Sequence, residues 1–126
     1  MIGFYSLFQY TGDARRLEAV NVGVVLMCPE AKFFEAKFLD EAHIIEATKH
    51  VPGDFERHAI LASLQTQTAA AWLRQMATEH DHTKELLISF GERLCNEVHM
   101  TAPRRIALDE PTQELAALFQ GLVMRV

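Results

Sequence analysis

One tripeptide in this chain pairs residue types that catalysis uses. Glu35-Ala36-Lys37 sets a carboxylate and an amine two positions apart, inside a run where Phe34, Ala36 and Phe38 alternate with polar residues. A period of two puts Glu35 and Lys37 on one strand face. Metal-dependent nucleases of the restriction-endonuclease type use an acidic-x-Lys pair in which the carboxylate binds Mg²⁺ and the lysine positions or activates water. A second acid is needed nearby, and Asp13 or Glu18 could supply it from an adjacent strand. The plainer reading is a half-exposed strand, in which Glu and Lys alternate with Phe and Ala as a matter of course.

Two further constellations could bind rather than react. Arg15-Arg16 and Arg104-Arg105 are the basic pairs of the chain. If they converge, their guanidinium forks match phosphate oxygens and make an anion or nucleotide site; taken singly, each pair reads as solvated surface. Glu18, Asn21 and Gly23 fall at the start of a valine-rich run. With Arg16, Glu18 and Asn21 could touch a partner. The structural alternative is preferred: Asn21 satisfies a buried backbone group while Gly23 admits a close neighbour. His80 and His82, with Glu79 and Asp81, are the one tight histidine cluster, but no Cys or second His pair sits at a supporting spacing for zinc. A polar loop is the better reading. No Gly-rich phosphate loop or nucleophile elbow is present, and no motif calls for a cofactor.

Composition narrows the classes. A chain of 126 residues, 49% hydrophobic and 23% charged, fits one globular domain spanning 1–126. A net charge of −5 argues against broad nucleic-acid binding, which needs a positive footprint. No stretch is long and apolar enough for a membrane span, and the start Met1-Ile2-Gly3 reads as neither a signal peptide nor a myristoylation site. Cys28 and Cys95 read as free buried thiols. A cytoplasmic protein is expected.

The elements that must position these residues follow from periodicity. Residues 2–10 alternate, with Ile2, Phe4, Phe8 and Tyr10 on one face, and Thr11-Gly12-Asp13 breaks the run with turn chemistry. Residues 19–27 are β-branched and predict a central strand, with a bulge or a close packing partner at Gly23. Cys28-Pro29-Glu30 ends it, and residues 32–39 form a third strand. Short connections predict an antiparallel three-stranded meander. Asp40 then caps a short helix to about residue 49, with Ile44, Ile45 and Thr48 inward. Asp54 caps a long helix to about residue 78, whose apolar stripe is Leu61, Leu64, Thr68, Trp72 and Met76. Residues 83–98 suit a strand or a helix, with the helix preferred. Residues 99–108 look extended around Pro103 and offer a further strand. A final helix starts near Pro111, capped by Asp109 or Glu110, with Leu115, Leu118, Phe119 and Leu122 inward. The fold class is α+β, a sheet packed against three to four helices.

Tyr5-Ser6-Leu7, Gln9-Tyr10, Arg16, Glu18, the run from Val20 to Leu26, and Cys28-Pro29-Glu30 resemble the start of a bacterial family, domain of unknown function 3037. Ala102-Pro103-Arg104-Arg105, Glu114-Leu115, Leu118-Phe119 and Leu122-Val123 resemble its end. The resemblance implies a small bacterial protein, often encoded beside kinases similar to the HipA toxin, and a regulatory or toxin–antitoxin role. It assigns no catalytic residue. The expected function is a non-enzymatic regulatory or interaction module that binds another protein, such as that kinase, and a homodimer is open to it. The alternatives are a small metal-dependent nuclease using Glu35 and Lys37, and an anion- or nucleotide-binding module using the pairs Arg15-Arg16 and Arg104-Arg105.

Overall fold

The aromatic and β-branched alternation of the first third does make strands. In the computed structural model, which describes residues 1–12, 19–51, 53–79, 83–94 and 97–124, β1 (Ile2–Tyr10), β2 (Val20–Cys28) and β3 (Phe33–Phe38) form an antiparallel meander. Helices α1 (Glu41–Thr48), α2 (Phe55–Glu79) and α3 (Lys84–Arg93) follow, then β4 (Val98–Met100), β5 (Arg104–Ala107), α4 (Pro111–Leu118) and a π-helical turn, Phe119–Val123. The sheet order is β3-β2-β1-β4, and β5 also pairs with β1. The extended region around Pro103 is thus two short strands sharing the second edge of β1, with Met100 opposite Phe8 and Arg104 opposite Tyr5. Residues 84–93 are helical, as preferred.

Local chemistry sets the boundaries. Pro29 opens a single 3₁₀ turn after β2, and Lys32 takes the left-handed conformation, φ 52°, that turns the chain into β3. The Asp40 carboxylate accepts from the His43 N–H at the start of α1, Thr83 accepts from Leu86 N–H at α3, and Glu110 accepts from Thr112 N–H ahead of α4.

Both faces of the sheet are covered, so every residue from Val22 to Cys28 is buried. Phe8, Gly23 and Phe38 stand side by side across three strands. The Phe8 ring lies 4.8 Å from Phe38 and 6.3 Å from Phe90 of α3, so this face meets α2 and α3. The opposite face, carrying Val24 and Leu26, lies under α4 and the π turn. Both expectations for Gly23 are met: the register steps from Phe8–Gly23 to Gln9–Asn21, leaving Val22 as the extra residue of a bulge, and the Phe38 ring fills the space where a Cβ would stand.

The orientation of α2 corrects the sequence reading. Its buried line is His58, Ala62, Thr66, Ala69 and Leu73, while Leu64, Thr68 and Trp72 of the expected stripe face outward and Leu61 and Met76 sit at the margin. The sheet supplies the bulk here through Phe8, Tyr10, Phe34 and Phe38. The helix therefore approaches the sheet through the small Ala62, Thr66 and Ala69 between His58 and Leu73, and Leu64 and Trp72 are displaced to the outside.

Candidate functional site

Asn21 is held at both ends of its amide. Nδ2 donates to the Leu122 carbonyl at 2.9 Å, and Oδ1 accepts from Gln9 Nε2 at 2.9 Å. The amide thus ties the start of β2 to the turn after α4. Beside it opens a cleft of about 590 Å³, walled by His43 and Glu46 of α1, by His50, and by Leu122 and Met124. Two of the cleft's polar walls are already engaged. The His43 ring is hydrogen-bonded to Asp40, the cap of α1, whose carboxyl is held below its ordinary value by the backbone N–H and the ring of His43. The Glu46 carboxyl is lowered by its hydrogen bond from Lys49. His43, Glu46 and His50 recur at three- and four-residue steps, a helical spacing that could have flagged them in the sequence.

Glu35 and Lys37 lie on one face of β3, opposite Leu26 and Val24, and both are exposed. The Lys37 ammonium stands 5.9 Å from the centroid of the Phe119 ring. Among the described residues no group of three or more His, Cys, Asp and Glu is placed to hold a metal ion. Asp13 and Glu18, the acids offered as completing a nuclease site, lie outside the described residues, as do Arg15, Arg16, His80, Asp81, His82 and Cys95. Arg104 and Arg105 are consecutive on β5, opposite Tyr5 and Phe4, so the pleat sends them to opposite faces of the sheet. As a pair they do not form one fork. Cys28 is buried and free, its thiol 3.7 Å from the Ile2 carbonyl oxygen.

The feature that sequence reasoning missed is the outward side of α2. Ile60, Leu64 and Trp72 are 58%, 57% and 46% exposed, and with Thr68 and Ala71 they follow one helical stripe. Thr68 turns its hydroxyl back onto the Leu64 carbonyl at 3.0 Å, so the stripe makes little demand for water. From Arg57 to Thr78 the helix carries no Asp or Glu, although the chain as a whole is at −5. The stripe was visible in the periodicity; what periodicity does not carry is which way it faces.

Residues 5–123 match the family described as Protein of unknown function (DUF3037). The chain belongs to the DUF3037 family. The match runs from β1 through the π turn and so takes in the sheet and the helices on both of its faces. No curated protein and no solved structure matches this DUF3037 chain. Among the described residues no helix is long and apolar enough to cross a membrane.

Proposed function

We propose that this DUF3037 protein is a non-enzymatic regulatory module of the bacterial cytoplasm that works by binding another protein through the outward face of α2. One observation supports the reading. A stripe in which the exposed Ile60, Leu64 and Trp72 are joined by Thr68 and Ala71 runs over three turns of α2, uninterrupted by any acid. Exposed apolar side chains aligned on one helix face mark interaction sites more than exposed leucines scattered singly do. A complementary partner presents an apolar groove or helix face with an acidic rim for Arg57 and Arg74, the two arginines of that helix. The partner implied by the family resemblance is a kinase similar to the HipA toxin.

The single tryptophan of the chain, Trp72, sits in the stripe and reports on it directly. With such a kinase added, its emission shifts to the blue and iodide quenching falls. Leu64→Asp weakens the complex by about tenfold or more while the melt is unchanged, since a charge in the centre of an apolar contact costs at least a hot-spot residue. A kinase complex that forms with Trp72 still quenched and Leu64→Asp without effect defeats the proposal for this face.

A further inference from the structure

Among the described residues β3 is the last strand of the sheet, and what its outer edge offers is specific. The Leu39 N–H donates to the Val22 carbonyl at 2.9 Å, so odd-numbered residues of this stretch turn their backbone groups towards β2. A period of two then points the N–H and C=O of Ala36 and Phe38 outward, where no described residue meets them. Beyond that edge lies an open groove of about 490 Å³, floored by Ala36 and Phe38 and walled by Ala70, Leu73 and Ala77 of α2. It is lined by β3 and α2 and by no residue of β2, so it lies at this margin of the sheet. On the other face Glu35 and Lys37 are exposed, and neither is in an ion pair with a described residue.

We infer that β3 pairs antiparallel with β3 of a second copy of this chain, about a two-fold axis at Ala36, joining two sheets into one. The charge pattern selects both the occupant and the register. With the axis at Ala36, Glu35 stands opposite the partner's Lys37 and Lys37 opposite the partner's Glu35, so one symmetric contact makes two ion pairs. The backbone agrees: Ala36 exchanges both hydrogen bonds with the partner's Ala36. The charged residues then fall at the non-hydrogen-bonded positions, where opposite side chains come closest. An axis at Glu35 or at Lys37 would set like charges against each other, and an axis at Phe34 or Phe38 would leave both charges unmatched. The same charges keep unrelated strands from adding to the edge. This surface is separate from the outward stripe of α2, and each proposal can fail alone.

Sedimentation of the full chain, from micromolar to millimolar, tests the pairing. A concentration-dependent dimer is expected. Lys37→Glu and Glu35→Lys should each raise its dissociation constant by about tenfold or more, because each turns two attractions into two repulsions. The double exchange, Glu35→Lys with Lys37→Glu, should recover the parent value to within about threefold, since it rebuilds both pairs. Ala36→Pro removes an outward N–H that β2 does not use, so the melt should hold while the dimer is lost. A chain that stays monomeric at millimolar concentration overturns the inference. So does a dimer that the single charge reversals do not weaken, or one that the double exchange does not restore. Self-association that shifts Trp72 emission would move the contact to α2 and overturn it as well.

Discussion

The side-chain amide of Asn21 donates to the backbone carbonyl of Leu122, 101 positions along the chain, at 2.9 Å. The amide thus satisfies a part-buried backbone group, the structural role expected of an amide in a valine-rich strand. Asn21→Ala should lower stability by about 1–3 kcal/mol, because the carbonyl loses its donor in a half-buried site. A thermal melt checks this. A variant that melts like the parent would leave Asn21 to the adjoining cleft.

Val24 is fully buried between Leu7 of β1 and Lys37 of β3, with helices over both faces of its strand. Val24→Asp should abolish the cooperative melt. An unpaired buried carboxylate costs several kcal/mol, comparable to the whole stability of about 5–15 kcal/mol.

Gly23 has no room for a methyl group: a Cβ there would collide with the Phe38 ring and close on the Lys37 carbonyl oxygen at 3.1 Å. Gly23→Ala should cost about 1–3 kcal/mol through forced repacking. Adding Phe38→Leu should recover part of the loss, as the double variant's denaturant midpoint will show. A deficit that the second change leaves untouched would mean that the neighbouring backbone, and not the ring, limits the site.

The two sides of α2 should respond in opposite ways. Ala69 is buried against the sheet, so Ala69→Leu should destabilise by about 1–3 kcal/mol. Leu64→Ala and Trp72→Ala change exposed positions and should stay within about 0.5 kcal/mol of the parent. Large losses at Leu64 and Trp72 would return the stripe to the core.

Tyr10 and His58 share a buried hydrogen bond of 2.7 Å. Burial, opposed by Arg57 and helped by Glu97, raises the Tyr10 hydroxyl above its ordinary value of 10.0. The folded chain therefore keeps a proton that the unfolded chain gives up first. This contribution is fully present below the ordinary value and is lost as pH rises through the folded one, so stability should fall on the alkaline side. Tyr10→Phe should flatten that limb and cost about 1–3 kcal/mol at neutral pH. Urea melts across the alkaline range check both.

The strands were legible because alternation and β-branching are local properties: 2–10, 20–28 and 33–38 all come from side chains that suit a pleated surface. The caps at Asp40 and Glu110 are local too. The face of α2 was not legible. Leu64 and Trp72 win on hydropathy, but Phe8, Tyr10 and Phe38 occupy the space they would need, and that is decided by residues far away in sequence. The same holds for the candidate surfaces. Asn21 was marked by an amide in a valine run, while its partner Leu122 carries no signal. Glu35 and Lys37 were visible as a pair, but that they stand on the last strand of the sheet follows only from the order β3-β2-β1-β4.

That order also has a consequence for how the chain comes to fold. Of the strands of this sheet β1 is made first, yet its second edge is closed by residues 98–107, paired at Ile2 with Ala107 and at Tyr10 with Val98. A hairpin of β1 and β2 emerging from the ribosome must wait, one edge open and one apolar face bare, until about four-fifths of the sequence has been made. Closing such distant partners is slow, because the entropy of the intervening loop is lost before the contacts repay it. Nascent chains arrested before residue 98 should therefore lean on chaperones or aggregate, whereas release after residue 123 lets the sheet close on both sides.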